Sequence, residues 1–102
     1  MATLQAVFIP ATKIPTKITA LAATTASSTQ TFSQGAILAI QATGNVNVLF
    51  GNAGTIGTAA ATGWLIQGGA VAEFELGQWD SVQFYNPNAG TIDIYILQLA
   101  KA

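Results

Sequence analysis

Ile37-Leu38-Ala39-Ile40-Gln41-Ala42-Thr43-Gly44-Asn45-Val46-Asn47-Val48-Leu49-Phe50 is the stretch around which the chain is organised. Apolar residues run up to Thr43-Gly44-Asn45, and Val46, Val48 and Phe50 then alternate with Asn47 and Leu49 at the two-residue period of a β-strand. Gly and Asn are the residue types that most readily accept the positive φ of a two-residue hairpin turn. The stretch therefore predicts a β-hairpin turning at Gly44-Asn45.

Downstream the pattern repeats. Trp64 to Ile66 resumes strand character, and Gln67-Gly68-Gly69-Ala70 offers a second tight turn. Ala72, Phe74 and Leu76 alternate with Glu73 and Glu75. After a turn at Gly77 to Asp80, Val82 and Phe84 continue inward, and Asn86-Pro87-Asn88-Ala89-Gly90 is a turn cluster. The last strand, Thr91 to Leu99, carries Ile92, Ile94 and Ile96 on one face and Asp93, Tyr95, Leu97 and Leu99 on the other. Between Asn52 and Gly63 small residues and glycines leave little to bury, which predicts a flexible surface loop. It lacks the lysine and following helix of a phosphate-binding loop.

Upstream, Ala2 to Ile9 is a short extended segment stopped by Pro10, and Pro15 sets an extended path for Thr16 to Ala20. Leu21 to Gln30, rich in Ala, Thr and Ser, could form a helical turn but reads as a loop. Residues 1–30 thus form an N-terminal arm and loop, and residues 31–102 a β domain. Seven or eight short strands separated by Gly, Asn and Pro turns indicate an all-β antiparallel sandwich or small barrel. Its expected core is Leu38, Ile40, Val46, Val48, Phe50, Leu65, Phe74, Leu76, Val82, Phe84, Ile92, Ile94 and Ile96.

The 102 residues suffice for one domain. They are 51% hydrophobic and 7% charged, with a net charge of −1, against roughly 25% charged in an ordinary soluble domain. So little charge gives weak protection against self-association, and a covered working surface is expected. Ile37, Leu49, Tyr95, Leu97 and Leu99, on the second faces of their strands, point the same way and imply a homo-oligomer. Leu4, Phe8, Ile9 and Ile14 are apolar residues of the arm, set apart by Pro10 and Pro15, and are expected to dock on a neighbouring subunit. Trp79, in a turn, is the aromatic expected to be exposed.

Three lysines, with no Arg or His, make no nucleic-acid surface. No Cys is present, so disulfide and thiolate chemistry are absent. No apolar run reaches the roughly 18 to 20 residues of a membrane span, and no secretory signal is expected, since the stretch from Ile18 to Ala26 is interrupted by threonines. Glu73 and Glu75 would stand roughly 6.5 to 7 Å apart on one strand face, within glycosidase range, but they read as the polar face of an amphipathic strand. Neither a metal nor a cofactor is expected, and without His the usual nucleophilic triad cannot form. Trp64, Trp79, Tyr85 and Tyr95 could stack on sugars, or serve as core and interface anchors.

The segments Asn45-Val46-Asn47-Val48-Leu49-Phe50-Gly51, Trp64-Leu65-Ile66, Gly69-Ala70-Val71-Ala72-Glu73-Phe74, Asp80-Ser81-Val82-Gln83-Phe84 and Gly90-Thr91-Ile92-Asp93-Ile94-Tyr95-Ile96 together resemble the small β-sandwich virion proteins of tailed bacteriophages. The resemblance implies a jelly-roll-like sandwich, a homotrimer, and a capsid cement or decoration protein that clamps major capsid subunits on the outer surface of the head. A receptor- or glycan-binding module of a phage fibre or of a bacterial surface appendage is the alternative, and an enzyme the third reading.

Overall fold

The computed structural model describes residues 8–11 and 15–101. Nine strands occur in the order β1 (Phe8–Pro10), β2 (Thr16–Leu21), β3 (Gln30–Thr31), β4 (Ile37–Ala42), β5 (Val46–Gly51), β6 (Trp64–Ile66), β7 (Val71–Glu75), β8 (Ser81–Tyr85) and β9 (Ile92–Lys101). They form two antiparallel sheets. One runs β1-β9-β4-β7, with β2 also on β9, and the other runs β3-β8-β5-β6.

The pairings are nested: β5 with β6, β4 with β7, β3 with β8, and β2 with β9. Two further pairings, β4 with β9 and β5 with β8, roll this long double ribbon into a sandwich. That is the topology of a jelly roll, and the expected all-β antiparallel sandwich is what the chain forms.

The expected hairpin at Gly44-Asn45 is not there. β4 belongs to one sheet and β5 to the other, so Thr43 to Asn45 is an arch that crosses the sandwich. Gly44 has no positive φ, and its role is close approach. A Cβ on Gly44 would lie 2.8 Å from Ile92 Cγ2, and one on Gly68 would lie 2.8 Å from the Cα of Gly44. The Gln67 to Ala70 turn is a second arch, joining β6 to β7 across the sheets. The two arches pack backbone to backbone at one end of the sandwich.

Leu38, Ile40, Val46, Val82, Phe84, Ile94 and Ile96 are fully buried between the sheets, with Leu76 and Ile92 nearly so. Phe50 and Phe74 are partly buried against this cluster. Leu65 departs from expectation: it is 50% exposed while Ile66 is buried. Ile66 stands opposite the buried Val46, so Ile66 is the residue of β6 that enters the core.

β2 lies along Ile92 to Ile96 of β9 and contributes Leu21 to the core. A bulge interrupts it between Ile18 and Leu21, where Ala20 takes φ +53° and its N–H donates to Asp93 Oδ1 at 2.8 Å. β1 pairs with Leu99 to Lys101 of the same β9.

Candidate functional site

The two outer faces differ. Over the β3-β8-β5-β6 sheet the segment from Asn52 to Gly63 is pinned down, contrary to the expected flexible loop. Gln83 Oε1 accepts from Ala59 N at 2.9 Å, and Gln83 Nε2 donates to Gly57 O and Thr29 Oγ1, each at 2.8 Å. Asn47 Nδ2 donates to Gly63 O at 3.0 Å. At the start of the segment Asp80 Oδ1 accepts from Ala53 N at 3.0 Å and from Ser81 Oγ at 2.7 Å. The Ser81 hydroxyl and then the Ala53 N–H hold the Asp80 carboxyl below the ordinary carboxylate value. Gln83, Asn47 and Ala59 are thereby buried on an outward face.

The outer face of the β9-β4-β7 sheet has no such cover among the described residues. Cross-strand register aligns three rows: Glu75, Ile37 and Leu99; Glu73, Ala39 and Leu97; and Val71, Gln41, Tyr95 and Lys17. Ile37, Ala39, Tyr95, Leu97 and Leu99 are each partly buried. A shallow cavity of about 330 Å³ lies over Ala39, bordered by Leu97, Tyr95 and Pro15. Lys17 Nζ sits 5.2 Å from the Tyr95 ring centroid and 3.8 Å from Asp93 Oδ2.

A third surface is the flank between β6 and β7, the edges of the two sheets. Here the aromatic core opens outward. Phe50 stacks on Trp79 with ring centroids 5.9 Å apart and meets Phe74 at 5.0 Å. Trp64, paired with the buried Val48, closes a groove of about 420 Å³. Trp64 is 67% exposed, Val71 60%, Leu65 50% and Trp79 39%. These are the exposed large apolar side chains among the described residues: Trp64 and Trp79 line the groove, Leu65 lies beside Trp64 on β6, and Val71 belongs to the open face of the other sheet.

The predicted contact residues thus separate. Tyr95, Leu97 and Leu99 share the open sheet face, and Trp79 is on the β6–β7 flank and exposed as expected. Phe8 and Ile9 belong to β1, whose backbone pairs with the chain's own β9. Leu4 and Ile14 lie outside the described residues. The four aromatics weighed as a sugar platform do not form one surface: Trp64 and Trp79 share the groove, Tyr95 is on the open face, and Tyr85 is beside Ala26 on the covered sheet. Glu73 and Glu75 project from the edge strand β7 into solvent, while Asp93 is on β9, with β4 between. Among the described residues no three His, Cys, Asp or Glu side chains gather as metal ligands.

Sequence reasoning missed Gln83, Asn47 and Asn86. Asn86, fully buried, donates through Nδ2 to Leu21 O, Ala22 O and Gly90 O at 2.9, 3.1 and 2.8 Å, and accepts from Asn88 N at 2.9 Å. Asn88 in turn donates to Asn45 O at 2.7 Å, which ties this turn to the first arch.

No family model and no curated protein matches the chain. Among solved structures, a chain from Bacillus endospore appendages, described as a novel family of disulfide-linked pili, is similar over 97% of this chain and 91% of its own, with 23% identity and a TM-score of 0.52. The likeness is one of fold, and both chains are small β proteins of this architecture.

Proposed function

We propose that this protein is a structural subunit of a surface appendage, built by side-to-side assembly of copies. The observation that carries this reading is the exposure of three large apolar side chains, Trp64, Leu65 and Trp79, on and beside the edge strand β6. A monomer rarely leaves such a patch bare. β6 is also an unblocked sheet edge: its Trp64-Leu65-Ile66 backbone has a free side and no charge, the condition under which strands of separate chains pair. At the opposite edge of the same sheet, β3 consists of the uncharged Gln30 and Thr31. β7 carries Glu73 and Glu75, which blunt that edge.

The likeness to an appendage protein supports the same reading over the capsid decoration implied by the virion resemblance. Cross-linking chemistry does not carry over. The 102 residues contain no cysteine, so assemblies of this chain are held without disulfides and withstand a thiol reductant.

Negative-stain microscopy of the purified protein tests the proposal. Filaments unaffected by reductant are expected, and Leu65→Lys or Trp64→Lys should abolish them while leaving the strand circular dichroism unchanged. A protein that stays dispersed at high concentration, or that instead coats phage heads in hundreds of copies, would overturn it.

A further inference from the structure

We infer that the open face of the β9-β4-β7 sheet binds a second copy of itself, face to face, about a two-fold axis running along the strands between β4 and β9. This face is separate from the β6–β7 flank, and the inference does not depend on side-to-side assembly.

Charge decides the orientation. Glu73 and Glu75 mark one margin of the face, and Lys17, with Asp93 beside it at 3.8 Å and one row further from the other copy's Glu73, marks the other. A two-fold axis along the strands lays the acidic margin of each copy over the Lys17 margin of the other. Lys17 then stands one row, about 7 Å along the strand, from the other copy's Glu73, within reach of a lysine side chain. An axis across the strands would lay Glu73 and Glu75 over their own counterparts, a like-charge juxtaposition that disfavours it.

Shape agrees with charge. In the favoured orientation each β4 lies over the other copy's β9, so Leu97 faces Ala39, Leu99 faces Ile37, and Tyr95 faces Gln41. Ala39 is the small residue at the middle of the face, beneath the cavity of about 330 Å³. That depression receives the leucine opposite it. The other sheet offers no equivalent, because the segment from Asn52 to Gly63 lies over it.

Four strands about 4.8 Å apart and three rows about 6.8 Å apart give a footprint on the order of 400 Å² per copy. Twice that figure falls among transient interfaces, so the pairing is read best by trapping it.

The absence of cysteine makes an introduced thiol unique. With sheets about 10 Å apart, paired Ala39→Cys residues fall roughly 11 Å from each other, which suits a short bismaleimide. Ala60→Cys, exposed on the covered side, is the control. Ala39→Cys should give covalent dimer much faster than Ala60→Cys. Leu97→Asp in the Ala39→Cys background should remove the dimer, with circular dichroism reporting whether the sandwich persists. Glu73→Lys, at an exposed position, should slow dimer formation roughly five- to tenfold. Equal cross-linking of Ala39→Cys and Ala60→Cys would overturn the inference, as would acceleration by Glu73→Lys, which the crossed orientation requires.

Discussion

Replacing Asn86 should destabilise the protein more than any other single change outside the apolar core. Its side-chain amide presents two N–H groups to three carbonyls, from Leu21, Ala22 and Gly90, and its Oδ1 accepts from the Asn88 backbone and side chain. Asn86→Ala removes all of these and leaves the buried Leu21 carbonyl, and the part-buried ones of Ala22 and Gly90, without this donor. At about 0.7 kcal/mol net for each of these five neutral hydrogen bonds, within the usual range, the loss is about 3–4 kcal/mol. That is a large share of the roughly 5–15 kcal/mol expected for a domain of this size. Urea unfolding should show a midpoint lower by roughly 2 M at an unchanged slope of about 1.5 kcal/mol per M. Asn86→Asp keeps the shape but aims a carboxylate at those same carbonyls, which raises its folded pKa above the unfolded value of about 3.9. Its penalty is therefore complete above the folded pKa and disappears as the pH falls below the unfolded one. An Asn86→Ala protein within about 1 kcal/mol of the parent, or an Asn86→Asp protein whose deficit ignores pH, would refute the reasoning.

Asp80 works in the opposite sense. Its folded pKa is depressed by Ser81 and Ala53, so it contributes stability above the unfolded value of about 3.9, lost as the pH falls through the folded one; Asp80→Asn should flatten that part of an acid titration followed by tryptophan fluorescence. Ala20→Gly should raise the thermal midpoint, because glycine relieves the left-handed φ of +53°, a gain of up to about 1 kcal/mol; a lower midpoint would mean that the alanine methyl matters more than its strain. Gly68→Ala should cost about 2 kcal/mol or more, since its Cβ would meet the Gly44 backbone at 2.8 Å, and a melting curve matching the parent would show that the arches can separate freely.

Much of the sandwich is legible in the sequence because a strand's inward set follows from alternation alone, as at Leu38 and Ile40 or Ile92, Ile94 and Ile96. Alternation does not say which sheet a strand joins. A Gly-Asn step between two strands serves a hairpin or an arch, and the choice at Gly44 depends on Ile92 and Gly68, distant in sequence. At β6, three residues are too few for the period to establish which side faces in, which is why Leu65 and Ile66 exchange roles. The open sheet face was legible through Tyr95, Leu97 and Leu99. The anchoring by Gln83 and Asn47 was not, because an outward amide looks the same whether it meets water or a covering segment.

The position of β9 bears on how the molecule is made. It follows in sequence every strand it pairs with, yet it is an interior strand of its sheet, flanked by β4 on one side and by β1 and β2 on the other. During synthesis, β5 and β6 can meet early, but β4 waits for β9 as well as β7, and β2 finds its partner only when residues beyond Ile92 have left the ribosome. Contacts of such long sequence separation make closure slow, and until then the apolar faces of β4 and β2 lie uncovered and open to aggregation. Closure of the sandwich thus waits on translation through β9, whatever the order in which the earlier strands begin to pair.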